Sequence, residues 1–452
     1  MHGPTPFTDL RVLTLLALIS GCAGAGIRPV SPPPPLPFEE LKKSVSRLRE
    51  LPFQHEVSLE TRPKEEVRRL LEQKLSDESD KESVAQLARV YGRLGLIPED
   101  ADLAKALTDL RFFRESARYD VPARSVIAPQ GSLAPGLVFL RSPWPLEEEK
   151  ARELVLAHAL ARALQEQHFQ PQDKGRHRNT EDMRLALGAL ESGDAVLVGL
   201  AHLAGGSKEL ILDGVKGLAL QATRADKEMA YLPQPLRGKA VFQYVQGSQF
   251  VLWAYSLKGW EGVNRLFSSP PLSTKEILHP EKYFTKRENP VWITPWNLIR
   301  RFSGQKKIEE TLGEYLIRLL LARTLSREEA ERAAAGWTGD TLLAFEQGEQ
   351  LVLGWITAWE NREEALEFYQ SYRRALENRR GISLESAGAN TLTSRSGPPL
   401  LLQVRENIVF FLDGVPAPRS VAIAEGVWGD LEIGTESQPL ELGRLHAPAV
   451  VK

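Results

Sequence analysis

Cysteine is almost absent from this chain of 452 residues, which contains only Cys22. One thiol cannot form an internal disulfide, and it cannot supply a zinc ribbon or an iron–sulfur cluster. An excess of one charge is absent as well, because 57 Lys and Arg residues are balanced by 59 Asp and Glu residues. The net charge of -2 gives no basic field, so we expect no nucleic acid among the partners.

Common catalytic and ligand-binding motifs are also missing. The chain has no Gly-x-Ser-x-Gly nucleophile elbow, no phosphate-binding Gly-x-x-x-x-Gly-Lys loop, no dinucleotide fingerprint and no calcium loop. No repeat occurs at the periods typical of solenoids. The composition of 42% hydrophobic and 26% charged residues indicates a globular protein and excludes a disordered, collagen-like or multi-spanning membrane chain.

The lone cysteine follows a short apolar segment near the N-terminus. Residues 12–19 are mostly apolar, but this run is far shorter than the roughly 20 residues that a membrane span needs. Such a run is typical of the core of a signal peptide. The segment Leu18-Ile19-Ser20-Gly21-Cys22 resembles the lipobox of bacterial lipoproteins, in which cleavage leaves the cysteine as the lipid-bearing first residue. The alternative is a plain secretory signal that is cleaved nearby.

These features predict how the N-terminal part is divided. Residues 1–21 are the predicted lipoprotein signal peptide, and residues 22–37 are the lipidated cysteine with a proline-rich tether. The consecutive prolines at 32–35 hold an extended conformation and cannot join a core, which is why we interpret this stretch as a spacer.

Hydrophobic periodicity predicts a predominantly helical α+β fold. Residues 38–335 are predicted to form a mainly helical domain with long helices at 147–169 and from about 181 to 203. Short strands are predicted within this domain, among them one at residues 137–140.

The last part of the chain has a different pattern, which predicts a boundary near residue 335. Residues 336–452 are expected to form a small C-terminal α+β module and a tail, with a helix at 362–380. Two strands are predicted on either side of a tight turn at Glu406-Asn407. The order strand, strand, helix, strand, strand suggests a sheet covered on one face.

Two segments carry the candidate chemistry, at residues 156–169 and 189–195. They resemble bacterial secreted and lipoprotein zinc metallopeptidase-like proteins of the gluzincin type. In that family a long helix carries His-Glu-x-x-His and the next helix carries Glu-Gly-Asp-Ala. Further segments with the same resemblance are Gly95-Leu96, Tyr119-Asp120, Gly259-Trp260, residues 270–283 and residues 336–340. The resemblance spans roughly residues 60 to 415 and implies a metallopeptidase-like helical core with short strands.

The resemblance also implies that the chemistry of the family is lost here. In the parent motif two histidines share a zinc ion, the glutamate polarises the bound water, and a carboxylate of the next helix is the third ligand. His158 keeps the first ligand position, but Ala159 replaces the general base, Arg162 the second histidine and Ser192 the glutamate ligand. An alanine cannot take a proton, and an arginine is always charged and repels a dication. We therefore expect no metal, no cofactor and no catalytic residue.

Two acidic residues on the second segment keep alternatives open. Glu191 and Asp194 are possible polar residues of the cleft, and with His158 they could form a rearranged metal site of a hydrolase. Arg162 either pairs with Glu166 on the helix surface, or points into the cleft and pairs with Asp194 or Glu191. In the second case it would replace the zinc ion as the link between the two helices.

The expected function is that of a membrane-anchored envelope lipoprotein that is catalytically inactive and acts as a binding or assembly partner. Its predicted partners are the membrane, through a lipid on Cys22, and another envelope protein. Ala23 after the cysteine resembles lipoproteins that are sorted to the outer membrane rather than the inner one. The alternatives are the hydrolase with a rearranged site and a purely structural envelope lipoprotein.

Overall fold

The computed structural model describes residues 37–78, 81–114, 117–131, 147–171, 180–303, 305–347 and 350–435. Of these residues, 59% are helical and 19% lie in strands, which confirms the predominantly helical α+β class. The predicted signal peptide, Cys22, the tether up to residue 36 and the strand predicted at 137–140 lie outside the described residues.

The first elements of the described chain are four helices and the three strands of a small sheet. They are α1 (Phe38–Arg49), β1 (Ser58–Arg62), α2 (Lys64–Glu78), α3 (Lys81–Leu94), α4 (Leu103–Arg114), β2 (Arg118–Asp120) and β3 (Ser125–Pro129). The sheet has the order β1-β3-β2, with Ser58 opposite Ser125 in the parallel pair. α1 packs against the helices that follow this sheet and thereby brings its last residue, Arg49, into the interior.

Long helices form the centre of the molecule. They are α5 (Glu148–Phe169), α6 (Glu181–Leu203), α7 (Lys208–Glu228) and α8 (Gln234–Ser268). α6 packs against the other three. It is capped by Thr180, whose hydroxyl oxygen accepts a hydrogen bond from the Met183 amide, and acidic residues in its first turn suit the positive end of the helix dipole. Both predicted long helices are confirmed.

α6 is, among the described residues, the one helix long and apolar enough to cross a membrane. The most apolar 18-residue stretch of α6 is 83% buried inside the protein, as in the core helix of a globular domain. The apolar character of α6 therefore follows from its central position, because a helix in contact with neighbours on every side needs apolar residues around its whole circumference.

Shorter elements lead from the helical centre to the C-terminal sheet. They are α9 (Thr274–Leu278), α10 (Glu281–Phe284), β4 (Val291–Pro295), α11 (Trp296–Arg301), β5 (Lys306–Glu310), α12 (Gly313–Leu321) and α13 (Arg327–Ala335). The remaining elements are β6 (Trp337–Gln347), β7 (Gln350–Trp359), α14 (Arg362–Arg380), β8 (Leu384–Gly388), β9 (Thr391–Ser394), β10 (Leu400–Arg405), β11 (Ile408–Asp413), α15 (Arg419–Gly429) and β12 (Leu431–Thr435).

The C-terminal sheet has seven strands in the order β5-β6-β7-β11-β10-β9-β8. Its hairpin β10–β11 turns at Glu406, where the sequence predicts a tight turn. α14 ends at Arg380, as predicted, and is capped by Gly381, whose positive φ of 61° suits glycine. The sheet extends across the predicted boundary near residue 335, since β5 precedes it, and the described residues group as one compact unit.

Helices cover both faces of this sheet, so the expectation of a single covered face was wrong. Val409 and Phe411 of β11 share a core with α14, whereas Phe410 and Leu412 share a second core with α15. A strand between two layers is buried on both sides, and every residue of β11 is indeed buried.

Candidate functional site

The predicted site residues come together on two neighbouring helices. His158, Ala159 and Arg162 lie on α5, and Glu191, Ser192 and Asp194 lie on α6. All six are buried except Arg162, whose side chain is 29% exposed. The two helices pack directly against each other, so their polar side chains meet inside the molecule rather than on its surface.

Arg162 points toward α6 and forms an ion pair there. Its Nη2 donates to Oε2 of Glu191 at 2.7 Å, and its Nη1 donates to Oε1 of Gln165 at 2.7 Å. The prediction that Arg162 turns into the cleft and pairs with an acid of the next helix is confirmed for Glu191. A charge-assisted bond of this length is stronger than a neutral hydrogen bond.

Asp194 is held by an arginine that the sequence did not indicate. Nε of Arg49, at the end of α1, donates to Oδ1 of Asp194 at 2.9 Å, and each of these side chains is only 1% exposed. The other carboxylate oxygen of Asp194 accepts from Nε2 of Gln165 at 2.8 Å. Asp194 therefore joins α1, α5 and α6 in the interior.

Gln165 makes these contacts continuous. Its amide nitrogen also donates to the backbone oxygen of Glu191 at 2.9 Å, while its amide oxygen accepts from Arg162. We refer to Arg49, Arg162, Gln165, Glu191 and Asp194 as the guanidinium network. It contains two cations and two anions and is thus neutral as a whole, which is the condition under which ionised groups are tolerated in an interior.

Aromatic rings complete the surroundings of Arg49. Its guanidinium carbon lies 4.7 Å from the ring centre of Trp260 and 5.9 Å from that of Phe169. These distances are typical of cation–π contacts, which partly replace lost hydration. The Nη1 and Nη2 atoms of Arg49 have no hydrogen-bond partner among the described residues. Asp194 and the two rings are therefore the groups that stabilise this buried charge.

The other three predicted positions, His158, Ala159 and Ser192, are all buried. The His158 ring stacks on Tyr244 of α8, with ring centres 5.6 Å apart and an angle of 11° between the planes. Ala159 is completely buried in the main hydrophobic core, and Ser192 is buried on α6. The described part of the chain contains no group of three or more His, Cys, Asp or Glu residues that could hold a metal ion. These residues do not fit the zinc ion of the parent motif.

A second buried polar cluster fixes the start of α6. Asp182 accepts from the amide and the hydroxyl of Thr274, at 3.1 and 2.5 Å. Burial raises the pKa of Asp182 well above its usual value, and the carboxylates of Asp340 and Glu314 raise it further. Asp340 in turn accepts from the backbone amides of Leu312 and Gly313 at the start of α12, and from the indole nitrogens of Trp337 and Trp355.

This cluster joins two segments on which the metallopeptidase resemblance rests. Thr274 belongs to residues 270–283, and Asp340 belongs to residues 336–340. Nε2 of His279, in the first of these segments, lies 2.9 Å from Glu314. Every acid of the cluster has hydrogen-bond donors, which indicates that these residues hold α6, α9, α12 and β6 together.

The Arg162 ion pair can be tested by removing one partner. We expect Arg162→Ala to lower the free energy of unfolding by about 1–2 kcal/mol, because a charged hydrogen bond is lost at a partly buried position. Arg224→Ala on α7 is the matched control, since its bond to Glu228 at 3.0 Å is exposed to solvent. That variant should lose no more than about 0.5 kcal/mol in urea denaturation. Equal losses for the two variants would contradict a linking role for Arg162.

Comparison with known proteins gives one partial match. Residues 300–421 match a family described as a domain of unknown function, DUF8575. The matched region begins in α11, contains the strands β5 to β11 of the C-terminal sheet and ends in α15, so the guanidinium network lies outside it. No curated protein matches the chain. No solved structure matches it.

Proposed function

We propose that this chain is a catalytically inactive envelope lipoprotein with a metallopeptidase-like fold, which acts as a binding or assembly partner of another envelope protein. The guanidinium network is the observation that carries this proposal. Arg162 occupies the position of the second zinc ligand, and it bonds to the next helix through Glu191 at 2.7 Å. A guanidinium ion thereby supplies the positive charge and the link between helices that a metal ion would supply.

The hydrogen bonds that Glu191 and Asp194 accept argue against a rearranged metal site. Such a site would use His158, Glu191 and Asp194, but each of the two carboxylates already accepts a hydrogen bond from an arginine. A guanidinium group does not lose its proton in a protein, so a dication would have to displace a permanent cation. The arrangement therefore favours an inactive protein over a hydrolase.

The membrane anchor in this proposal rests on the sequence around Cys22. Lipid chains on the first residue of the mature protein would attach it stably, because each buried methylene group contributes about 0.8 kcal/mol. The apolar helix α6 does not provide an anchor in the folded protein, since it is buried between α5, α7 and α8.

Metal analysis of the purified full chain tests the loss of the zinc site. We expect zinc far below one ion per chain and no metal-dependent hydrolysis of casein. Arg162→His combined with Ser192→Glu restores two ligand types beside His158 while leaving the buried Ala159 unchanged, so this variant is the matched comparison. We expect it to gain zinc while its circular dichroism spectrum stays that of the wild type.

Two results would count against the proposal. Stoichiometric zinc in the wild type would show that the guanidinium network does not replace a metal. A folded double variant that gains no zinc would show that the zinc-site motif has been placed on the wrong positions of α5 and α6.

A further inference from the structure

Three arginines lie together where α3, α14 and β11 meet, and two of them, Arg93 and Arg380, bind the carboxylate of Asp413. Nε and Nη2 of Arg93 donate to the two oxygens of Asp413, at 2.9 and 2.7 Å. Nη2 of Arg380 donates to Asp413 at 2.6 Å and to the backbone oxygen of Arg93 at 2.9 Å. Nη1 of Arg379 donates to the same backbone oxygen at 3.1 Å. The guanidinium groups of Arg379 and Arg380 therefore lie side by side.

The cluster carries more positive than negative charge. The cluster holds three guanidinium groups and one completely buried carboxylate, that of Asp413, and the next acid that acts on these groups is Glu99, which is exposed. Burial lowers the pKa of Arg379, and the neighbouring charge of Arg380 lowers it further. Even when Glu99 is counted, the cluster retains a net positive charge that Asp413 alone does not neutralise.

Buried hydrogen-bond donors remain at the same place. Nη2 of Arg379, Nη1 of Arg380 and the hydroxyl of Tyr372 are buried and have no hydrogen-bond partner within the described ranges. Tyr372 is only 1% exposed. Tyr372 lies seven residues before Arg379 on α14, which puts the two residues on the same face of the helix, and its ring packs 5.4 Å from that of Phe411, two residues before Asp413 on β11. Burial raises the pKa of its hydroxyl, and the charges of Arg379 and Arg380 oppose this rise. Buried donors without acceptors are rare in native proteins and call for an explanation.

The end of α3 is shaped around these arginines. Gly95 has a positive φ of 91°, and a Cβ atom at this position would lie only 2.6 Å from Cδ of Arg379. A side chain at residue 95 would thus push Arg379 away from the backbone oxygen that it binds. The side chain of Arg93 is 31% exposed and is the part of the cluster that reaches solvent on this side.

We propose that this cluster binds a phosphate group, whose oxygens accept hydrogen bonds from Arg379 Nη2, Arg380 Nη1 and the Tyr372 hydroxyl. Arginine presents its donors in a fixed fork that matches the spacing of phosphate oxygens. A phosphate dianion also neutralises the surplus charge, which a water molecule would not do. This site lies apart from the guanidinium network and does not depend on the function proposed above.

Thermal unfolding of the full chain in inorganic phosphate tests the site. At constant ionic strength, phosphate should raise the melting temperature of the wild type, because a ligand that binds only the folded state stabilises it. Arg379→Gln should weaken the apparent phosphate affinity at least tenfold, since Arg379 lies in the cluster without bonding to Asp413. The matched control is Arg374→Gln on the same helix, whose side chain is 53% exposed, and it should respond to phosphate as the wild type does.

Tyr372→Phe provides a second variant that keeps the buried ring. It removes one proposed phosphate donor, so we expect a several-fold weaker phosphate response and no loss of melting temperature in phosphate-free buffer. The proposal is overturned if phosphate stabilises the wild type no more than chloride or acetate does, or if Arg374→Gln loses the response to the same extent as Arg379→Gln.

A second experiment distinguishes the two molecules that could supply the phosphate group. Calorimetric titration with inorganic phosphate and with glycerol 3-phosphate distinguishes free phosphate from a phosphate ester such as a lipid headgroup. Equal affinities indicate that the phosphate group alone is recognised, and tighter binding of the ester indicates a phosphorylated molecule. If neither compound binds, the cluster is not a phosphate site.

Discussion

Replacing Asp194 with alanine is expected to lower the free energy of unfolding by about 3–5 kcal/mol, the usual cost of removing one partner from a buried ion pair. Arg49 is 1% exposed and cannot shed its proton, so its charge would remain in the interior beside Trp260 and Phe169. Gln165 would lose an acceptor in the same step. The loss therefore exceeds that expected for the partly exposed pair of Arg162 and Glu191.

Urea denaturation with a matched aspartate variant checks this result. Asp213→Ala on α7 removes an exposed carboxylate whose nearest charge, Lys216 Nζ, is 3.7 Å away. Substitutions at such surface positions usually change stability by no more than about 0.5 kcal/mol. If Asp194→Ala were as mild as Asp213→Ala, the buried ion pair would not be what stabilises the junction of α1, α5 and α6.

A double variant separates the charge from the packing. Arg49→Met combined with Asp194→Leu removes both charges and keeps apolar volume between the helices. Replacing a whole buried pair by apolar residues is often neutral or stabilising, whereas breaking it is costly. We therefore expect the double variant to be more stable than Asp194→Ala. Additive losses from Arg49→Met and Asp194→Leu would contradict coupling between these two side chains.

The part of the site that lies on adjacent helices could be predicted from the sequence. α5 and α6 are consecutive and long, so a pairing of Arg162 with Asp194 or Glu191 was one of the two arrangements predicted, beside a surface pair with Glu166. Arg49 could not be found in this way. It is the last residue of an amphipathic helix and lies 145 positions before Asp194, and a basic residue at a helix C-terminus usually faces solvent. Its burial depends on how α1 docks, which no local pattern indicates.

The C-terminal sheet shows a similar division. The hairpin of β10 and β11 was predicted because its strands are apolar runs on either side of a two-residue turn. The second covered face does have a signal in the sequence, because the unbroken apolar run of β11 is typical of a strand between two layers. β5 escaped prediction because its sequence, Lys-Lys-Ile-Glu-Glu, is mainly charged, as edge strands often are.

Glycines in a helical sequence suggest interruptions, but they can also be packing positions. Gly247, Gly259 and Gly262 all lie within α8, and its backbone leaves the helical conformation only at Lys258 and Gly259. Gly247 has a helical backbone, and its lack of a side chain lets α6 pack close to α8. A Cβ atom there would lie 3.0 Å from Cα of Ala189 and closer still to the Ala189 carbonyl. From the sequence alone, a glycine that interrupts a helix cannot be distinguished from a glycine that lets two helices cross closely.

That crossing should be the second most sensitive place in the fold. Gly193→Ala would put a Cβ atom 2.8 Å from the backbone nitrogen of Ser248 and closer still to the carbonyl group of Gly247. Backbone atoms cannot rotate away as a side chain can, so α6 and α8 would have to separate. We expect a net loss of about 3 kcal/mol, at the upper end of the cost of overpacking and despite the better helix propensity of alanine.

Gly214→Ala in the interior of α7 is the matched control for the crossing. Its nearest neighbours are the terminal carbons of Leu200, at 3.0 and 3.2 Å, which can shift by a small rotation. The gain in helix propensity, about 1 kcal/mol, should offset that contact and leave stability almost unchanged.

Because α6 carries Glu191 and Asp194, the displacement caused by Gly193→Ala should also weaken the guanidinium network. The combined variant of Gly193→Ala and Asp194→Ala should therefore lose less than the sum of the two single losses, and full additivity would contradict this coupling between the helix crossing and the network.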